Sequence, residues 1–113
     1  MMTSRFKYEY DALSAQVETV AEMHGFEITE ETNDAEKICL MHSELSEALE
    51  WFRDGNPESD HIPPFSGIEE ELADVIIRIM HYGKARGMDV AGAIEAKVHF
   101  NRGRPFKHGR THL

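Results

Sequence analysis

The chain has 113 residues, of which 41% are hydrophobic and 29% charged, and its formal net charge is −9. That length supports one domain with its own core. No apolar run approaches the roughly eighteen residues that span a bilayer, the N-terminal MMTSRFKYEYD lacks a secretory apolar segment, and the excess of acid argues against binding a nucleic-acid polymer, so a cytoplasmic single domain without membrane contact is expected.

Residues 5 to 24 form the first predicted helix, with Phe6, Tyr10, Leu13, Val17, Val20 and Met23 at helical spacing and Gly25 as its stop. His24 then lies where an imidazolium suits the helix dipole. A second helix starts at Asn33, an N-cap with Glu36 in the capping-box position, and runs to about Asp54 before the breaker DGNP. Its broad apolar face is Ile38, Met41, Leu45, Ala48, Leu49 and Phe52, and Cys39 is expected to be a small buried hydrophobe. Glu44 and Glu47 fall at the edge of that face, on a line with Leu40 and Trp51, whereas Glu36, Glu50 and Asp54 point to water.

The proline-rich stretch from 55 to 66 reads as a loop, with His61 and Phe65 as side chains placed to cover a ligand or to anchor the surface. Ser66 and Glu69 form a capping box for a third helix that ends at Gly87 after Lys84 and Arg86. Ile68, Leu72, Val75, Ile76, Ile79 and Met80 are its core face, widened by Ala73 and Ile77, and Glu71 and Asp74 flank it one turn apart. Glu69 and Glu70 read as capping and solvated acids, and Arg78 as an i,i+4 partner of Asp74 or a phosphate contact. Asp89 caps a fourth helix whose Val90, Ile94, Val98 and Phe100 close the core, followed by an irregular tail. The fold class is therefore all-α, one domain over 1–113 with core helices at about 5–101 and a basic tail at 102–113.

Two helices that each carry an acid pair at i,i+3 bring four carboxylates to one place if they pack antiparallel. Such acids repel one another unless a cation lies between them, and oxygen donors select Mg²⁺ first and Mn²⁺ second. The seven histidines are scattered along the chain, and the sequence has neither a Glu-x-x-His di-iron motif on a predicted helix nor a P-loop. Charge is divided: from Lys97 onward there are five bases and no acid, so the first 96 residues hold seven bases against twenty-one acids, or −14. A carboxylate-held cation with a basic segment nearby suits a phosphorylated substrate.

These segments resemble the MazG-like all-α nucleoside triphosphate pyrophosphohydrolases. The family signature E-x-x-E, spacer, E-x-x-D reads here as Glu44, Glu47, twenty-three residues, Glu71 and Asp74, and KVHFNRGRP is similar to the K-x-x-x-N-x-x-R-P segment of small members. The likeness covers roughly residues 34 to 110. It implies a four-helix bundle completed by oligomerisation, as homodimer or dimer of dimers, and hydrolysis of a (d)NTP between its α and β phosphates. It also implies Mg²⁺, with Mn²⁺ possible, on Glu44, Glu47, Glu71 and Asp74, water activation by Glu47, and phosphate contacts from Lys97, Asn101 and Arg104. A dUTP- or dCTP-type diphosphatase of the same superfamily and a non-catalytic helical interaction module are the alternative readings.

Overall fold

Four helices follow one another in this computed structural model, which describes residues 4–106: α1 Arg5–Met23, α2 Asp34–Arg53, α3 Gly67–Ala85 and α4 Val90–Arg102. The helix starts obey the local chemistry of the sequence. Asn33 accepts the Glu36 N–H at 3.1 Å, Asp89 accepts the Gly92 N–H at 2.9 Å, and Ser66 and Glu69 form a reciprocal box. At α2 only the Asn33 half of the expected box forms. Ser4 caps α1 through the Lys7 N–H, a start that the sequence reading did not name. Gly25 and Gly87 end α1 and α3 at φ +82° and +67°, a backbone region that costs glycine least. His24 is satisfied locally, its Nδ1 2.9 Å from the Val20 carbonyl.

The principal pairing is α2 on α3, with α1 laid on α3 and α4 on α1. Late α2 meets early α3 at Trp51 and Glu71, and mid α2 meets later α3 at Glu44 and Arg78, so the two run antiparallel. The side of α2 turned inward is Lys37, Leu40, Met41, Glu44, Ala48 and Trp51, all half-buried. This corrects the expected core face: Ile38, Leu45, Leu49 and Phe52 are exposed, and so is Cys39. The line holding Glu44 is thus the packed line. On α3, Ile68, Val75, Ile79 and Met80 turn inward as expected, while Leu72 and Ile76 face out. Val98 and Phe100 of α4 are also exposed, so α4 does not close a core over α2 and α3; its close approach is by Ala91, fully buried, and by Ser4 Oγ donating to Glu95 at 2.8 Å.

Met80 and Ala91 are the buried hydrophobic residues among those described, and the radius of gyration is 16.5 Å where a compact chain of this length has about 13 Å. Polar clasps hold the connections. Arg86 at the end of α3 donates to Asp34, to the Thr29 carbonyl at 2.9 Å and to the Thr32 carbonyl at 3.1 Å, tying the α1–α2 connection down. Charge-assisted bonds of this kind contribute more than neutral ones, so Arg86→Met is expected to lower unfolding stability by about 1–3 kcal/mol in a denaturant titration. In the loop before α3, buried Ser59 donates to Glu70 at 2.5 Å and accepts the N–H groups of His61 and Ile62. Glu70 is therefore a loop anchor and not the solvated acid expected; it also holds His61 at 2.7 Å.

Candidate metal centre and adjoining cavity

Glu44, Glu47 and Glu71 each offer a carboxylate oxygen, and the three oxygens lie within 4.8 Å of one another. Helix geometry supplies this convergence: Glu44 and Glu47 are one turn apart on α2, and antiparallel packing brings Glu71 from the first turns of α3 between them and Trp51. Asp74, one turn beyond Glu71, adjoins the group electrostatically but is not one of the close three.

Glu71 sets the character of the site. It is only 8% exposed; its Oε2 accepts the Trp51 indole N–H at 3.1 Å, and its Oε1 is buried with no hydrogen-bond partner. Gly67 makes the indole's position possible, because a Cβ there would stand 1.9 Å from Trp51 Cδ2. Burial first, then the neighbouring Glu44, Glu47 and Asp74, push the Glu71 carboxyl up to about 7, with Trp51 opposing. Burial and then the charge of Glu44 raise Asp74. The neighbouring Glu44 carboxyl, then burial, raises Glu47, the exposed member of the group. Burial alone would raise Glu44 too, but its neighbours Glu71, Arg78 and Glu47 outweigh it and hold Glu44 low.

Arg78 donates through Nε to Glu44 at 3.0 Å, across the helix pair. The expected i,i+4 pairing with Asp74 gives way to this contact because Glu44 is half-buried and only 12% exposed at its side chain. Trp51, Arg78 and Gly67 are thus positioning residues of the acid group. Their sequence signals were weak, since a tryptophan on a helix line, an arginine beside an acid and a glycine at a helix start each have ordinary explanations.

The donor set fits a hard divalent cation. Oxygen ligands about 2.1 Å from Mg²⁺ stand up to about 4.2 Å apart across an octahedron, so oxygens within 4.8 Å of one another reach a shared ion with side-chain shifts of under about 1 Å. A buried carboxylate oxygen without a partner is the kind of atom a cation satisfies. A cavity of about 570 Å³ opens beside the acids, sharing Glu44, Asp74 and Arg78 with them and continuing past Phe26, Lys37 and His81. Another cavity, of about 250 Å³ between α1, the end of α3 and the start of α4, has none of the acids, and the Lys7 in its wall is already paired with Asp11 and Asp89.

Lys97, Asn101 and Arg104 make no hydrogen bond or ion pair with the acids within this chain. The Lys97 Nζ lies 4.6 Å and the Arg104 Cζ 5.2 Å from the centre of the Phe100 ring, so two of them flank one aromatic on the α4 side. The rest of the basic tail, from Lys107, lies outside the described residues. No protein-family model matches the chain, and no curated protein or solved structure matches it significantly. No described helix is long and apolar enough to cross a membrane.

The carboxyl titration has a consequence for folding. Glu71 moves from an ordinary 4.5 to about 7 in the folded chain, so the folded state binds this proton more tightly than the unfolded state does. The associated stabilisation is full below about 4.5 and is lost as pH rises through about 7. The metal-free protein is therefore expected to melt lower at pH 8 than at pH 6. Glu71→Gln keeps a carbonyl for the Trp51 N–H and removes the charge, so its melting temperature at pH 8 should exceed that of the wild type, while any rise on adding Mg²⁺ disappears. A thermal melt series at both pH values, with and without Mg²⁺, measures both effects.

Proposed function

We propose that this chain is a MazG-like nucleoside triphosphate pyrophosphohydrolase, cleaving a (d)NTP between the α and β phosphates with Mg²⁺, or Mn²⁺, on Glu44, Glu47, Glu71 and Asp74. The observations that carry this reading are the convergence of carboxylate oxygens from Glu44, Glu47 and Glu71 within 4.8 Å and the burial of the Glu71 carboxylate with one oxygen lacking a hydrogen-bond partner. A bound divalent cation supplies neutralisation of the phosphate oxygens and of the leaving group.

The chain's own residues do the rest. Glu47, exposed and with its basicity raised by Glu44, takes a proton from water. The water oxygen forms a bond to one of the phosphorus atoms flanking the α–β bridging oxygen. The bond from that phosphorus to the bridging oxygen breaks, and its electron pair leaves with the departing phosphate, giving (d)NMP and pyrophosphate. Glu44 is kept ionised by Arg78, a residue that also lines the adjoining cavity and can offer its guanidinium to a phosphate.

The outward apolar side chains of α2 and α3 and the open packing of the chain support a homodimer or dimer of dimers. Because α4 packs on α1, Lys97, Asn101 and Arg104 are proposed to serve the acids of another copy. The same exposed side chains also favour a second reading, a helical module that binds a different protein. Purified protein incubated with Mg²⁺ and a panel of (d)NTPs decides between them: pyrophosphate release that a chelator abolishes supports the enzyme, and an untouched panel removes it.

A further inference from the structure

The connection between α2 and α3 presents a side chain that the cleavage chemistry above leaves unused. His61 is held at two points: its backbone N–H donates to the Ser59 Oγ at 3.1 Å, and its Nδ1 lies 2.7 Å from Oε2 of Glu70. Buried Ser59 donates to the other Glu70 oxygen, so the carboxylate that aims the imidazole is itself fixed. The His61 side chain is nonetheless 81% exposed, and its Nε2 has no hydrogen-bond partner among the described residues. Facing a carboxylate, Nδ1 carries its proton. Glu70, then Asp60 and Asp74, raise the pKa of the ring above its ordinary 6.5, which favours the imidazolium and makes Nε2–H an open second donor.

The ring stands in line with the acids. Glu70, Asp74, Ile77, Arg78 and His81 recur at helical spacing along one face of α3, and the last four line the cavity of about 570 Å³. Glu70 carries His61 one turn before Asp74, and the Asp74 charge acts on the ring across that turn. The cavity thus leads from Asp74 toward the C-terminal end of α3, and His61 lies beyond Asp74 in the opposite direction. The first N–H groups of α3 are not open to an anion: those of Gly67, Ile68 and Glu69 are taken by the Pro57 carbonyl at 2.9 Å, the Asn56 Oδ1 at 2.9 Å and the Ser66 Oγ at 3.1 Å. An anionic group at this end of the site meets a side-chain donor instead.

We propose that His61 recognises the terminal phosphate of the substrate and thereby favours a triphosphate over a diphosphate. The inference rests on the hydrolase reading above. With the scissile bridge at the acids and the nucleoside on the cavity side, the phosphate furthest from the nucleoside extends past Asp74 toward Glu70 and the His61 ring. The imidazolium Nε2–H makes a charge-assisted hydrogen bond to that phosphate, which stands beyond the carboxylates. Because Ser59 and Glu70 already order the ring, little rotamer freedom is lost on binding. A diphosphate placed with its bridge at the same acids has no group at His61 and forgoes this contact.

The test pairs turnover with a binding measurement on the full chain. With Mg²⁺, kcat/KM is compared for the most active triphosphate of the panel and for the diphosphate of the same nucleoside, in wild type, His61→Ala and His61→Gln. His61→Ala should lower the triphosphate value about tenfold, through KM more than kcat, and the diphosphate value far less. His61→Gln, which keeps an N–H donor without the charge, should recover part of the loss. The ring is exposed, so both variants should keep the wild-type circular dichroism. Separately, inorganic pyrophosphate titrated with Mg²⁺ should shift the His61 ring resonances saturably in NMR. Equal losses on triphosphate and diphosphate in His61→Ala, no loss on either, or pyrophosphate binding that leaves the His61 resonances unmoved overturns the proposal. A wild-type protein that cleaves neither nucleotide but whose His61 ring responds to magnesium pyrophosphate upholds the phosphate contact and removes the hydrolase reading. No cleavage and no response removes both.

Discussion

Glu47→Gln should lower the rate of pyrophosphate release by about 10²–10⁴, the range lost when a positioned proton acceptor is removed. The substitution keeps the shape of the side chain and one carbonyl oxygen able to face a cation, but it removes the basic lone pair. Glu47 suits the role because it is the exposed carboxylate of the close trio, open to water, while Glu71 is buried and Glu44 is engaged by Arg78. Its basicity is also raised by its proximity to Glu44. If the variant binds Mn²⁺ within a fewfold of wild type and turns over with a kcat reduced at least a hundredfold, the loss belongs to proton transfer. Equal kcat in variant and wild type would take the water-activating role away from Glu47.

Leu49→Glu combined with Phe52→Glu should dissociate the protein to monomers and abolish turnover while preserving the helical circular dichroism. Both side chains are on α2 and about half or more exposed, at 48% and 68%, so the substitutions add charge to a surface without disturbing the α2–α3 contact. Sedimentation velocity reads the association state directly. Complementation gives the sharper form of the prediction. Glu47→Gln and Arg104→Ala, each inactive alone, should regain about a quarter of wild-type activity when unfolded and refolded together, since random pairing makes half the dimers mixed and each mixed dimer has one intact site. Absence of recovery would place Arg104 outside the site of a neighbouring copy.

The helices and their starts were legible in the sequence because they depend on neighbours in the chain: Asn33, Ser66 and Asp89 cap where their side chains reach the N–H groups three residues on. The convergence of Glu44, Glu47 and Glu71 was legible for a similar reason, since i,i+3 spacing and antiparallel pairing leave little freedom. What the sequence concealed was rotation. Apolar residues surround α2 so widely that periodicity cannot say which arc meets α3, and the helix turns its Leu40, Glu44 and Trp51 line inward while Leu45, Leu49 and Phe52 stay out. Partner choice was equally hidden. Arg78 reaches Glu44 on another helix, Glu70 anchors Ser59 and His61, and Trp51 bonds to Glu71 only because Gly67 leaves room for the indole. Each of these contacts is a fact of packing between segments, and none follows from spacing within one.

The ³¹P NMR spectrum of a reaction containing the protein, Mg²⁺ and each (d)NTP of the panel in turn tests the central claim most directly. A Mg²⁺-dependent hydrolase built on these acids should convert the three triphosphate signals to one monophosphate signal and one pyrophosphate signal, with no diphosphate nucleotide at any time, and Glu44→Gln and Glu71→Gln should leave the triphosphate intact. Formation of nucleoside diphosphate and free phosphate, or consumption that persists in both variants, would contradict it.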